Sequence, residues 1–116
     1  MCIRDRNNAD FALYHDPYEA VKDADIVVTD VWASMGQASE AAKRRVAFRG
    51  YQINSELMRL ANKDAIVLHC LPAHRGEEIT EEILEAHADE IFEEAENRLH
   101  AQKAVMVMLM KNKEDE

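Results

Sequence analysis

The stretch Asp64-Ala65-Ile66-Val67-Leu68-His69-Cys70-Leu71-Pro72-Ala73-His74-Arg75-Gly76-Glu77-Glu78 decides the fold class of this chain. Its run Ala65-Ile66-Val67-Leu68 is continuously apolar, which predicts a strand covered on both faces, as in parallel sheets. Pro72 has no N–H for a ladder and ends that strand. A cysteine and two histidines, Cys70, His69 and His74, therefore fall at the strand's carboxyl end and in the loop after it. In open α/β sheets that edge is where small ligands bind. The plainer reading is a strand end with an inert free cysteine.

Working outward, strands and helices alternate. Phe11-Ala12-Leu13-Tyr14 reads as a short strand. Asp16 and Pro17 mark a helix start, as N-cap and first helical residue, and Tyr18 to Lys22 continues it. Ile26-Val27-Val28-Thr29 is β-branched and continuous, a second buried strand. The loop Asp30 to Gln37 follows, then a helix over Ala38 to Phe48 with Gly50 placed at C′. Asn54 or Ser55 caps a helix over Glu56 to Ala61. Beyond the Cys70 loop, Thr80 caps a helix to Ala88. Glu90-Ile91-Phe92-Glu93 reads as a brief strand and Asn97 to Lys111 as the last helix. Its segment Ala104 to Met110 is apolar all round, which argues for burial on most sides. The alternation predicts an α/β fold with a parallel sheet and helices on its faces.

The bulk properties narrow the function classes. The 116 residues suffice for one small domain. No run of about 18 apolar residues exists, so no membrane span is predicted. Met1 to Arg6 has no apolar core after it, so a signal peptide is not expected. Two cysteines, Cys2 and Cys70, make no disulfide framework, and a reducing cytoplasm is the default compartment. A net charge of −9 argues against nucleic acid. That charge is local: Glu77 to Glu96 holds ten acids and no Lys or Arg, as a solvated helical face would.

Three motifs carry a family resemblance. His69-Cys70-Leu71-Pro72, followed by Ala73-His74-Arg75-Gly76-Glu77-Glu78, resembles the cysteine loop of ornithine carbamoyltransferases. Asp30-Val31-Trp32-Ala33-Ser34-Met35-Gly36-Gln37 resembles the same family's ornithine-binding loop. Phe92 to Ala104 is similar to its strand-to-last-helix junction. The resemblance implies transfer of a carbamoyl group from carbamoyl phosphate to L-ornithine, in an anabolic, arginine-making role, with no cofactor and no metal. It further implies a homo-oligomeric, trimeric parent. By the resemblance, Asp30, Ser34 and Met35 hold ornithine, Cys70 and Leu71 line the junction of both substrates, and Arg98 contacts carbamoyl phosphate. Asp30, Cys70 and Arg98 are the catalytic candidates.

The chemistry agrees with these residue types. A cation must hold the phosphate and a carboxylate must fix the attacking amine. Arg98 has the planar fork for phosphate, and the predicted start of the last helix at Asn97 would add a helix N-terminus. Plainer roles stand beside these. Asp30 could cap its loop, Ser34 could form a turn, and Arg98 could pair with Glu94 four residues back. Trp32 reads as a packing residue and His69 as a core or supporting histidine. A metal site from His69, Cys70 and His74 is not expected, because no known ligand spacing is matched. The different-class alternative is an acidic α/β domain that binds a small ligand or a partner without catalysis.

Several family segments are not found in these 116 residues. There is no Ser-x-Arg-Thr-Arg segment to grip phosphate and no His-Pro-x-Gln segment to polarise the carbamoyl group. The expectation is a truncated C-terminal half-domain. Residues 1–6 read as a non-native start, 7–111 as part of an ornithine-binding domain, and 112–116 as a charged tail. Its sheet would be an incomplete doubly wound, Rossmann-like one of order 3-2-1-4-5-6. Strands one and two would be missing, leaving Phe11 to Tyr14 roughly 14 Å from Ile26 to Thr29 with nothing between, to be detached or to slide across and pair with it. The predicted surviving core is Ile26, Val27, Ile66, Val67, Leu68, Ile91 and Phe92. Without its missing cover, the last helix would expose much of Val105 to Met110.

Overall fold

The computed structural model describes residues 10–33 and 40–111. The readings of residues 1–6, of the 112–116 tail, and of Ser34, Met35 and Gly36 lie outside them. The element order is α1 (Pro17–Ala20), β1 (Ile26–Thr29), α2 (Ala41–Ala47), α3 (Ser55–Met58), β2 (Ile66–His69), α4 (Glu81–Ala86) and α5 (Ala88–Lys111).

The local signals act as their chemistry dictates. Asp16 caps α1, its carboxylate accepting the Tyr18 N–H at 2.9 Å, with Pro17 next. Asn54, rather than Ser55, caps α3 by accepting the Leu57 N–H at 2.9 Å. Thr80 caps α4. Helix α2 ends at Ala47, three residues before Gly50, which turns the chain at φ 99°, a region open to glycine at no steric cost.

β1 and β2 pair in parallel, Ile26 with Ile66 through Thr29 with His69. Asn62 clamps the strand starts, its side-chain amide donating to Asp23 O and to Asp25 Oδ1. The core cluster joins Val21, Ile53, Leu57, Val67, Ile79, Ile83, Leu84 and Ile91, with Val27 packed against it. Thus Val67 and Ile91 are buried as expected, whereas Ile66 and Leu68 are half-buried. Ile26 and Phe92 are not core residues at all, at 55% and 64% exposed. Ile26 points to the sheet face opposite Val27, away from the core cluster, and its side chain stays mostly exposed.

Two predicted strands are absent. Phe11 to Tyr14 lies outside the sheet, with the chain just beyond it held by the Tyr51 hydroxyl donating to His15 O at 2.7 Å. Glu90 to Glu93 is helix, inside α5. The isolated Ile91-Phe92 pair is surrounded by Ala and Glu, strong helix formers, and Asp89 and Glu90 favour a helix's first turn. The last helix therefore starts at Ala88 rather than Asn97. Its distal part is exposed all along Val105 to Met110. The all-round apolar pattern does not bring burial here, because nothing in the described residues packs on that segment. Among the described residues no helix is long and apolar enough to cross a membrane.

Candidate active site

Parallel pairing in register sets the site. Asp30 and Cys70 each follow the last residue of adjacent strands, at the carboxyl edge. The Cys70 thiol lies 3.4 Å from Asp30 Oδ1 and donates to it. The same oxygen accepts the Val31 N–H at 2.7 Å, which fixes the carboxylate. Burial, then the hydrogen bond to Asp30 and its charge, push the Cys70 thiol up from its ordinary pKa of 9.0, with Glu94 adding slightly. Cys70 is therefore a neutral thiol at neutral pH, a donor at an exposed strand end rather than a thiolate nucleophile.

Asp30 also borders an open cleft of about 490 Å³ along β1, shared with Thr29, Trp32, Arg44 and Phe48. Trp32 stacks on Phe48 with ring centroids 6.3 Å apart. A carboxylate at the mouth of a partly apolar cleft suits an amine on an aliphatic stem.

The Cys70 loop is tied down on its inner side. Leu71 sits at φ 53°, a left-handed conformation that costs a non-glycine residue about 1–2 kcal/mol. The Leu71–Pro72 peptide is cis. The Leu71 N–H donates to His69 Nδ1 at 2.9 Å, and His69 Nε2 lies 3.0 Å from Glu78 Oε1. His69 and Glu78 are both fully buried. On the outer side Arg45 of α2 pairs with Glu77 at 2.7 Å, and Gln52 donates to Gly76 O and Glu77 O. The helix after the 30–37 loop thus grips the loop that carries Cys70. Sequence reading missed Arg45, Gln52 and Glu78, because their partners are 9 to 32 residues away and no local spacing marks them.

Arg98 is not brought to Asp30 and Cys70 by any contact. It lies exposed in the middle of α5, not near a helix N-terminus as expected from a start at Asn97. The ion pair to Glu94 is not among those found in the described residues. Glu94, one turn earlier, does act electrostatically on Cys70, so this side of α5 faces the Cys70 loop.

Two side-chain groups have metal-ligand geometry: Asp30, His69 and Cys70, and His74, Glu77 and Glu78. In the first, both ring nitrogens of His69 are already engaged. In the second, the Glu77 carboxylate is taken by Arg45.

Comparison with known proteins gives one family. The model of the aspartate/ornithine carbamoyltransferase, Asp/Orn binding domain, matches residues 2–109. An ornithine carbamoyltransferase of Nitratiruptor is 59% identical over 109 residues, 94% of this chain and 35% of that protein. The crystal structure of the anabolic ornithine carbamoyltransferase from Campylobacter jejuni matches with a TM-score of 0.82 at 52% identity, over 85% of this chain and 33% of that one. The enzyme from Pyrococcus furiosus matches at 0.77 and 52% identity, over 88% of this chain and 33% of that one. This chain spans about a third of the length of the relatives it matches. With the parallel strand pair, its two carboxyl-edge residues and a family match over nearly all its length, the chain belongs to the aspartate/ornithine carbamoyltransferase family, in the Asp/Orn binding domain.

Proposed function

We propose that these residues supply the amine-acceptor side of an ornithine carbamoyltransferase. The reaction carries the carbamoyl group of carbamoyl phosphate to the side-chain amine of L-ornithine, giving citrulline and phosphate. The observation that carries the reading is the Asp30–Cys70 contact at adjacent strand ends. Asp30 holds the ornithine ammonium and then the free amine, while the neutral Cys70 thiol shapes the same spot. The amine nitrogen attacks the carbonyl carbon, the C–N bond forms and the C–O bond to phosphate breaks. The amine's proton leaves on the departing phosphate.

Ser34 and Met35, with Asp30, hold ornithine, and Cys70 and Leu71 line the junction of both substrates. Arg98 reaches carbamoyl phosphate once that substrate is gripped by residues beyond this third of the enzyme. No cofactor or metal is required by that chemistry. The role is anabolic, as the names of the Pyrococcus furiosus and Campylobacter jejuni relatives say of those proteins, and serves arginine biosynthesis. The enzyme works in the cytoplasm as a homotrimer, without nucleic-acid or membrane partners.

The test is citrulline formation by the full-length enzyme containing these residues, with ornithine, aspartate and putrescine compared at equal concentration. Ornithine is the expected acceptor. Asp30→Ala should lower kcat/KM for ornithine by about two orders of magnitude, and Cys70→Ala by about one, since the first removes a charge partner and the second a weak donor. The 116-residue chain alone should match the no-enzyme blank. A preference for aspartate or putrescine overturns the acceptor; full activity in Asp30→Ala removes Asp30 from the site.

A further inference from the structure

His69 and Glu78 are fully buried, and the transfer chemistry above uses neither. The two ring nitrogens of His69 have opposite duties. The Leu71 N–H donates to Nδ1 at 2.9 Å, so Nδ1 presents a lone pair and carries no proton. The proton of the neutral ring then sits on Nε2, which donates to Glu78 Oε1 at 3.0 Å. Glu78 is itself fixed. Its Oε1 also accepts the His74 N–H at 2.6 Å, and its main-chain carbonyl accepts the Ile53 N–H at 2.8 Å. Oε1, already the acceptor of the His74 N–H, offers His69 Nε2 an acceptor too, which favours the Nε2–H tautomer and leaves Nδ1 free for Leu71.

Peptide planarity carries this selection to the site. The Cys70–Leu71 peptide is trans, so the Cys70 carbonyl points opposite to the Leu71 N–H. With the N–H turned to the buried ring, that carbonyl is turned away from it. The Cys70 thiol, on the same residue, reaches Asp30 at 3.4 Å. A ring with its proton on Nδ1 would meet the Leu71 N–H donor to donor. The peptide would have to rotate, and both polar groups of Cys70 would move.

We propose that His69 is a positioning residue for the acceptor-amine site, and that Glu78 makes it one by fixing its tautomer. The kinetic part rests on the ornithine reading; the tautomer does not.

The test uses 15N-histidine labelling and steady-state kinetics on the full-length enzyme. Long-range 1H–15N correlations should show wild-type His69 as the Nε2–H tautomer, and Glu78→Leu should abolish that single form. His69→Asn retains an acceptor close to the Nδ1 position, whereas His69→Phe retains volume alone. His69→Phe should raise KM for ornithine roughly ten- to hundredfold while KM for carbamoyl phosphate stays within about twofold, and His69→Asn should recover most of the loss. Slow exchange of the Leu71 amide should persist in His69→Asn, which decides the matter if His69→Phe does not fold. An Nδ1–H tautomer in the wild type overturns the proposal. So do equal losses in two folded variants, or equal rises in both KM values. If another amine proves the substrate, the ornithine reading fails, and the tautomer and the Leu71 exchange still decide the role of His69.

Discussion

The two faces of the β1–β2 sheet carry the same kinds of side chain and end in different surroundings. In register, Val27 pairs with Val67 and Thr29 with His69 on one face; Ile26 pairs with Ile66 and Val28 with Leu68 on the other. The first face joins the core cluster, and Val67 and His69 are fully buried. On the second, Val28 is 65% exposed. Carried one residue past the strand ends, the alternation gives Asp30 and Cys70 the parity of the open face and His69 that of the closed one. The closed face builds the frame, and the open side presents the chemistry. Apolar content alone does not separate the two; what packs on each does.

Adjacent residues of α5 sharpen that comparison most. Ile91 is wholly buried and Phe92 is mostly exposed. Ile91→Ala should destabilise the folded chain by about 2–5 kcal/mol, through lost transfer energy and a residual cavity. Phe92→Ala, although it removes the larger side chain, should change stability by about 0.5 kcal/mol. Urea midpoints of the two variants make the measurement. Equal losses would mean that Phe92 is covered in solution, and the closed and open surfaces would no longer be distinct.

The distal half of α5 extends the open surface. Val105 to Met110 is exposed throughout, a contiguous apolar stretch of the kind that drives association. The triple change Met108→Gln, Leu109→Gln, Met110→Gln should leave the urea midpoint of the 116-residue chain within about 0.5 kcal/mol of the parent. It should reduce light scattering at concentrations where the unchanged chain associates. Unchanged scattering would place the sticky surface elsewhere, with the Ile26 and Val28 edge the next to test.

Much of this was legible in the sequence. The strands Ile26–Thr29 and Ile66–His69, the caps Asp16 and Thr80 and the break at Pro72 all rest on signals within a few residues of each other. The carboxyl-edge position of Asp30 and Cys70 follows from those strands once they pair. The failures share a cause. Phe11 to Tyr14 has strand composition but no neighbouring strand among the described residues, and a strand needs a partner for its backbone groups. Glu90 to Glu93 contains two apolar residues that resemble a strand only when their helix-forming flanks are ignored. The core was misjudged because strand residues were assumed covered on both faces, as they are when a parallel sheet is fully flanked. Arg98 falls near a helix N-terminus only if α5 starts at Asn97, and it starts about two and a half turns earlier, at Ala88. The His69–Glu78 pair depends on the loop closing on itself, which no periodicity encodes.

The smallest expected effect lies at the open edge itself. The Cys70 thiol is held up in pKa first by partial burial, and next by its hydrogen bond to Asp30 and the Asp30 charge. At pH 7.5 it should therefore react with iodoacetamide more slowly than the same cysteine in the urea-unfolded chain, and the rate should rise with pH as thiolate forms. Asp30→Asn removes the carboxylate charge, keeps an oxygen that can accept from the thiol, and leaves burial in place. The sign is fixed: losing a neighbouring negative charge lowers the thiol pKa and raises the thiolate fraction. A less basic thiolate is also intrinsically less nucleophilic, with a Brønsted slope of about 0.4–0.5, so only part of the gain reaches the rate. The expected outcome is a severalfold acceleration that fades only once the pH passes the raised wild-type thiol pKa, read on the Cys70 peptide by mass spectrometry so that Cys2 does not contribute. A closed-face change such as Val67→Ala should leave the pH profile in place. If Asp30→Asn leaves the rate unchanged, the Asp30–Cys70 contact does not form in solution, and the open side loses the observation on which its chemistry rests.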